Sequence, residues 1–151
     1  MSASFDSMLK HMAWADRKIG AALTEAANPP AEAVRWYAHI VTAEMNWLSR
    51  LVGGDSFVAP LFPEWDAAAA VAQSEETLPK YEAFLESVDD FSRMVAYKNS
   101  SGAEFRTSVS DILTHVFLHG SYHRGQINAR LRAAGLEPTP VDYIVFARER
   151  E

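Results

Sequence analysis

The 151-residue chain contains no cysteine. Disulfide bonds, thiolate metal sites and cysteine nucleophiles are therefore excluded. A site for a transition metal in this chain has to be built from nitrogen and oxygen ligands.

Basic residues are scarce relative to acidic ones. The chain has 14 Lys and Arg against 20 Asp and Glu, which gives a formal net charge of −6 at pH 7. Proteins that bind phosphate backbones need clustered positive charge, so we expect no nucleic-acid partner.

Long apolar runs are also missing. No run approaches the roughly 20 residues that a transmembrane helix requires. The N-terminal segment MSASFDSMLKHMAW lacks the basic and apolar regions of a signal peptide. We therefore expect no membrane association and a cytoplasmic protein. The length and the 48% content of hydrophobic residues are typical of one globular domain over residues 1–151.

The dominant pattern in the sequence is helical periodicity. Apolar residues recur at steps of three and four positions in four segments, which predicts four helices. These cover about residues 5–26, about residues 31–52, about residues 66–90, and a segment from near Ser108 to just before Gly135. Ser108 and Asp111 form a capping pattern at the start of the fourth helix. Pro79 is expected to kink or divide the third helix.

Two connections between the helices have distinct compositions. Residues 53–66, GGDSFVAPLFPEWD, carry two prolines and two glycines without a period. A loop of this length can cross the end of a bundle and let the next helix run parallel to the last. Residues 93–107 contain two short extended runs around Asn99 to Gly102, which predicts a β-hairpin.

The sequence therefore predicts an all-α fold. We expect a four-helix bundle with a long crossover loop between helices 2 and 3 and a short β-hairpin between helices 3 and 4. The segment after Gly135, GLEPTPVDYIVFARERE, is expected to be an extended tail that packs back on the bundle through Tyr143, Val145 and Phe146.

Three of the five histidines lie four residues apart in the fourth helix, at His115, His119 and His123. Four residues make about one helical turn, so the imidazoles line one edge of the helix. A helical wheel places His123 toward the core, His119 at its border and His115 nearer the rim. Two inward imidazoles at this spacing can reach one metal ion. The spacing is equally compatible with hydrogen-bonded histidines at a metal-free helix interface.

A third ligand has to come from another helix. His39 on the second helix is the obvious candidate, whereas His11 has polar neighbours and is expected to be solvated. Glu44 falls within the apolar arc of the second helix, where a carboxylate needs a partner. It either forms an ion pair with an inward arginine, such as Arg50 or Arg124, or it orients an imidazole or acts as a general base with a raised pKa.

Three segments of this chain resemble a known family. They are HMAWADRKI, HIVTAEMNWLSRL and HVFLHGSYHRGQINARLRAAGLEPTPVDY. The last is the most specific, with an H-x-x-x-H-R-G-Q core followed by LR, a glycine and a proline-rich turn. In order and spacing, over nearly its whole length, the chain resembles the DinB/YfiT-like family, the DinB superfamily of metal-dependent enzymes.

This resemblance implies a fold and a site. The fold is a four-helix bundle with an unusual connection between its second and third helices. The site is a divalent metal, often nickel or zinc, bound by one histidine of the second helix and two of the fourth. In this sequence those positions are His39, His119 and His123, and His115 is a neighbouring or pocket residue. The resemblance also implies a homodimer, and relatives include thiol-dependent S-transferases and a thiol-dependent isomerase.

Three neutral imidazoles leave the charge of a bound cation undiminished and at least one coordination position open, which is the pattern of a catalytic site. A zinc-like ion there lowers the pKa of bound water to about 7 or stabilises a thiolate. Mg²⁺ and Ca²⁺ are disfavoured because they prefer oxygen ligands.

Two functions follow from this site. The first is a metal-dependent transferase or hydrolase that acts on a small molecule, with a low-molecular-weight thiol as an expected partner and with Glu44 and His115 as candidate catalytic residues. The alternative is a non-enzymatic protein, either a stress-related metal-binding protein or a structural helical-bundle protein.

Overall fold

The computed structural model describes residues 2–150 of the chain. In order, its elements are α1 (Ser2–Glu25), α2 (Ala31–Leu51), α3 (Ala67–Ser87), β1 (Met94–Lys98), β2 (Glu104–Ser108), α4 (Val109–Ala133) and α5 (Tyr143–Glu149). The chain is therefore mostly helical, with five helices and one antiparallel sheet of two strands in this range. None of these helices combines the length and the apolar character needed to cross a membrane.

Two apolar clusters show the directions of the four long helices. One cluster is formed by the N-terminal halves of α1 and α4 with the C-terminal halves of α2 and α3, and it includes Met12, Leu51, Leu78 and Leu113. The other cluster is formed by the opposite halves of the same helices and includes Ile19, Ile40, Ala70 and Ile127. Hence α2 and α3 run in the same direction, as the long loop between them predicted, and α1 and α4 run in the opposite direction.

The connection from α2 to α3 is held along α2 by side chains of that helix. Asn46 accepts hydrogen bonds at Oδ1 from the backbone N–H groups of Val58 (2.8 Å) and Ala59 (3.0 Å), and its Nδ2 donates to the carbonyl of Ala59 (3.0 Å). One turn later, Ser49 Oγ donates to the carbonyl of Asp55 (2.7 Å). These bonds satisfy loop backbone groups that have no strand or helix partner.

The same arrangement continues toward both ends of the loop. Arg50 Nε donates to the carbonyl of Ser56 (2.8 Å), and Thr42 Oγ1 donates to the carbonyl of Leu61 (3.2 Å). Loop residues farther along the chain are therefore bound by α2 residues nearer the start of that helix. The loop runs back along α2 and ends beside the first half of that helix.

The predicted hairpin and the predicted start of α4 are both present. β1 and β2 pair antiparallel, from Met94 opposite Ser108 to Lys98 opposite Glu104. In the turn, Gly102 has a φ of +84°, which favours glycine. Ser108 Oγ then accepts a hydrogen bond from the N–H of Asp111 (3.0 Å), which caps the first turn of α4.

The segment after α4 differs from the sequence-based expectation. The expected extended tail forms the short helix α5, whose Phe146 is buried while Tyr143 remains partly exposed. Pro138 and Pro140 keep the segment before it extended, but no proline or glycine follows them, so the last residues are free to form a helix. So short a helix depends on packing rather than on its own propensity.

His11 also differs from the expectation, because it is buried rather than solvated. Its relative exposure is 5%, and its Nε2 donates to the carbonyl of Val141 (2.8 Å). Its ring contacts those of Tyr143 and Phe146, with centroids 5.3 and 5.7 Å away. His11 therefore anchors α5 on α1.

Pro79 lies inside α3, as the sequence indicates, but it does not divide the helix. A single helix extends from Ala67 to Ser87. Asp66 begins it by accepting a hydrogen bond at Oδ1 from the N–H of Ala69 (2.8 Å).

We predict that Asn46→Ala destabilises the loop and disturbs His39. The substitution removes three hydrogen bonds and leaves buried loop groups without partners, at about 1–3 kcal/mol for each such group. We expect the free energy of unfolding in urea to fall by about 2–4 kcal/mol. In NMR spectra the imidazole resonances of His39 should shift, because Leu61 of the same loop binds that ring.

Asn128→Ala is the matched control for this prediction. Asn128 binds the backbone of Thr139 through both of its side-chain atoms (2.8 and 2.7 Å), after α4 rather than after α2. This variant should lose stability while the His39 resonances stay in place. Unchanged His39 resonances in Asn46→Ala would contradict the role assigned to the loop.

Candidate metal centre

Three histidines from two helices converge at one point. His39 lies on α2, and His119 and His123 lie one turn apart on α4. The Nε2 atoms of His39 and His119 are 3.2 Å apart, although 80 positions separate these residues in the chain. One ring nitrogen from each of the three histidines lies within 4.8 Å of the others.

These residues fit a divalent transition metal. Tetrahedral coordination at about 2.0–2.1 Å separates two ligand nitrogens by roughly 3.3 Å, close to the spacing between His39 and His119. A set of imidazole nitrogens suits zinc, nickel and related ions better than Mg²⁺ or Ca²⁺. The geometry therefore supports a metal site and leaves the identity of the metal open.

Hydrogen bonds fix the tautomers of two of the imidazoles. His39 Nδ1 donates to the carbonyl of Leu61 (2.7 Å), because a carbonyl oxygen can only accept. His123 Nδ1 donates to Oε1 of Gln126 (2.6 Å). In both rings the proton is therefore on Nδ1, and the lone pair of Nε2 is available to a cation.

Aromatic side chains hold the same two rings in place. Phe62 of the crossover loop stacks on His39, with centroids 4.3 Å apart and planes 7° apart. Trp36 of α2 stacks on His123 at 4.7 Å and 15°. On the outer side of Phe62, the guanidinium of Arg35 lies 4.6 Å from the ring centroid. These contacts restrict rotation of the imidazoles and so preorganise them.

The environment favours the neutral form of His119 and His39. Burial, followed by the neighbouring His123 and His39, lowers the pKa of His119 to about 3. Burial also lowers the pKa of His39, with a smaller contribution from His123. Neutral imidazoles can bind a cation without first losing a proton.

His115 stands at the rim, one turn before His119. Its ring centroid lies 5.5 Å from that of His119 and 5.4 Å from that of Trp47. It does not belong to the group of converging nitrogens. Partial burial and then the positive charge of Arg50 lower the pKa of His115. Its catalytic role stays a prediction.

Glu44 and Arg124 lie in the core, beside Asp16 of α1. Arg124 Nη1 binds Asp16 Oδ1 at 2.7 Å, and their side chains are 2% and 0% exposed. Within residues 2–150, Glu44 forms no ion pair with Arg50 or Arg124, unlike one of the sequence-based expectations. On α4, Arg124 is buried and His123 only half-buried, so the arginine faces the core more directly than the wheel suggests.

The surroundings of the Glu44 carboxyl favour its protonated form. As carboxylates, Glu44 and Asp16 leave both oxygens of Glu44 and Oδ2 of Asp16 without a donor among the described residues. Burial and the adjacent Asp16 raise the pKa of Glu44 well above its ordinary value. A proton on Glu44 provides a donor to Asp16 and satisfies both groups. Glu44 therefore belongs to a polar cluster in the core. Its contacts in the structure give no support to the predicted catalytic role.

A cavity of about 270 Å³ adjoins two of the three histidines. At one end it is lined by His39 and His119, and elsewhere by Trp47, Arg50 and Tyr97. Its walls come from α2, α4, the crossover loop and the hairpin. A small molecule in this cavity can therefore contact His39 and His119.

Some residues of the site are missed by the sequence analysis. Gln126 has a local signal, since it follows His123 by three positions on the same helix and lies within the H-R-G-Q core. Leu61 and Phe62 have none, because they occupy an aperiodic loop whose path is set by side chains of α2. Arg50 was considered only as a partner for Glu44.

Comparisons with known proteins agree with the resemblance described above. The profile of the DinB family matches residues 1–151. The curated Protein DinB of Bacillus subtilis (strain 168) is 30% identical over 117 residues, which cover 72% of this chain and 68% of that relative. The chain belongs to the DinB family.

We predict that Glu44→Gln stabilises the protein increasingly as pH rises. The folded-state pKa of Glu44 lies above its unfolded value of 4.5, so the folded protein binds more protons. The stability that the wild-type carboxyl contributes is complete below pH 4.5 and is lost as pH rises through the folded-state pKa. Glutamine retains the shape and a donor without ionising. Urea unfolding should show similar stabilities at about pH 4 and a gain of about 1–3 kcal/mol at about pH 8.

Glu82→Gln is the matched control, because Glu82 is exposed on α3. It makes the same change in charge outside the core, and its stability should follow the wild-type curve. A constant difference between Glu44→Gln and the wild type across this pH range would contradict the protonated core carboxyl.

Proposed function

We propose that this protein is a metal-dependent enzyme whose helices α1–α4 form a DinB-type four-helix bundle around the site. His39, His119 and His123 would hold a divalent transition metal, with nickel and zinc the favoured ions. The observation that carries the proposal is the convergence of the three imidazoles beside a cavity that His39 and His119 line.

Catalysis is favoured because the protein supplies three ligands and the cavity adjoins them. A coordination position on that side stays accessible to a small molecule. When bound, the metal supplies Lewis-acid chemistry that lowers the pKa of a water or a thiol in the cavity. Leu61 and Gln126 orient His39 and His123, and burial favours the neutral form of His39 and His119.

The reaction that we propose is a transfer or a hydrolysis. In the transferase version, supported by the family resemblance, a low-molecular-weight thiol attacks a small electrophile. His115 stands at the rim with a lowered pKa. Its neutral ring can accept the proton that the nucleophile releases. Glu44 is less suitable, because it is 1% exposed and lies beside Asp16.

The family resemblance also leads us to propose a cytoplasmic homodimer without nucleic-acid or membrane partners. Sedimentation of the purified protein over a range of concentrations tests the dimer.

We predict that His39→Ala, His119→Ala and His123→Ala each lower metal affinity at least about tenfold, because each removes one of three ligands. Metal content is measured by elemental analysis of protein prepared without a histidine tag, and folding by circular dichroism. Helicity should persist, because the apolar clusters between the helices do not include these residues.

His115→Ala is the matched control, since it removes an imidazole one turn from His119. It should retain the metal. Full metal content in any of the three ligand variants would contradict the site. A fourth protein ligand that closes the coordination sphere would support the non-enzymatic alternative, as would an absence of turnover with thiols and electrophiles.

A further inference from the structure

The wall of the cavity beside the histidine cluster contains one residue that is positively charged at neutral pH, Arg50. Among the described residues that line it, Arg50 is the sole arginine or lysine, and none is acidic. The remaining lining is largely aromatic or apolar and includes Trp47, Tyr97 and Phe105. The cavity therefore combines an apolar middle with one cationic position.

Arg50 is held in place without a charged partner. It is 7% exposed, and its Nε donates to the carbonyl of Ser56 (2.8 Å). The guanidinium carbon lies 4.3 Å from the ring centroid of Trp47, 4.7 Å from that of Phe57 and 5.1 Å from that of Tyr97. The three rings fix the plane of the guanidinium. No carboxylate within residues 2–150 lies within 4.0 Å of it.

The contrast with Arg124 shows that this arrangement is specific to the cavity. Arg124 is buried more fully, at 1% exposed, and the fold provides Asp16 as its partner. Arg50 remains protonated at neutral pH, because the guanidinium pKa is very high even where burial lowers it. A buried cation without an anion is costly. An anion that enters the cavity removes this cost and can form two parallel hydrogen bonds with the guanidinium.

We propose that Arg50 binds a carboxylate at one end of the substrate while the other end of the substrate lies at the histidine cluster. This inference rests on the proposed function, since the metal defines the reacting end. The substrate is then an elongated small molecule with a terminal carboxylate and an apolar middle that packs against Trp47 and Tyr97. Arg50 determines specificity and takes no part in proton transfer.

The spacing of the two ends limits the size of the substrate. The step from His39 to Arg50 corresponds to roughly 16 Å of helix. Helical side chains lean toward the N-terminus, and the arginine side chain is longer than that of His39, so the guanidinium lies closer to the histidines than the helix rise alone would place it. A carboxylate and a reacting group separated by roughly 8–12 Å match this geometry.

The test uses a series of ω-mercaptoalkanoates of three to eight carbons and their uncharged carboxamides. Binding to the full-length protein is measured by calorimetry in the zinc-loaded and in the metal-free form. For the longer chains, the wild-type protein should bind the carboxylate at least about tenfold more tightly than the amide, as expected for a charged hydrogen bond.

The Arg50 variants assign this preference to the side chain. Arg50→Gln should bring the ratio of the two affinities close to one, because it removes the charge. Arg50→Lys should retain part of the preference, because it keeps the charge but loses the planar fork. Arg132→Gln is the matched control, since it makes the same change in charge at an exposed position of α4 that does not line the cavity. It should keep the full preference.

Equal binding of carboxylate and amide by the wild-type protein would overturn the inference. So would a full preference in Arg50→Gln or a loss of preference in Arg132→Gln. Should Arg50→Gln fail to fold because its bond to Ser56 is lost, the wild-type ratio and Arg50→Lys still decide the question. The two proposals fail separately: a carboxylate preference in protein that binds no zinc contradicts the metal centre alone, and zinc binding without that preference contradicts the anion site alone.

Discussion

The hydrogen bonds between α2 and the backbone of the crossover loop are the constraint on which the site depends. The loop has no periodic apolar pattern, so its path is set by where its N–H and carbonyl groups find partners. Asn46 fixes the middle of the loop and Arg50 its beginning. The path that results brings Leu61 and Phe62 to His39. The polar side chains of α2 that bind the loop therefore position the residues that orient His39, a proposed metal ligand. They also position the loop residues that line the cavity.

A second constraint lies on α4, where adjacent rows of residues face different surroundings. His119 and His123 face His39 of α2. Gly120 and Arg124 face the core. A Cβ atom at Gly120 would lie 2.8 Å from Nη1 of Arg124, so the glycine provides space for the guanidinium that binds Asp16. This ion pair joins α1 to α4 and so positions the helix that carries two of the histidines.

The sequence predicts what local patterns determine and misses what distant contacts determine. The four long helices, the hairpin and the Ser108 cap have signals within a few residues and are present in the structure. The burial of His11 has none, because its partner Val141 lies 130 positions away. The helix α5 is missed because its stability comes from that contact and from the burial of Phe146. Spacing and resemblance together selected the three histidines, whereas the loop and Arg50 depend on a path that no periodicity encodes.

The stacking of Trp36 on His123 has a photophysical consequence. The centroids of the indole and imidazole rings are 4.7 Å apart and their planes are nearly parallel, so a cation bound by His123 would lie close to a fluorophore. An open-shell cation at that distance would quench the fluorescence of the indole, whereas a closed-shell ion such as zinc would not. With a metal in the proposed site, part of the fluorescence of the four tryptophans would therefore depend on whether that ion is open-shell or closed-shell. In the proposed metal-loaded protein, tryptophan emission would thus distinguish nickel from zinc without an added dye.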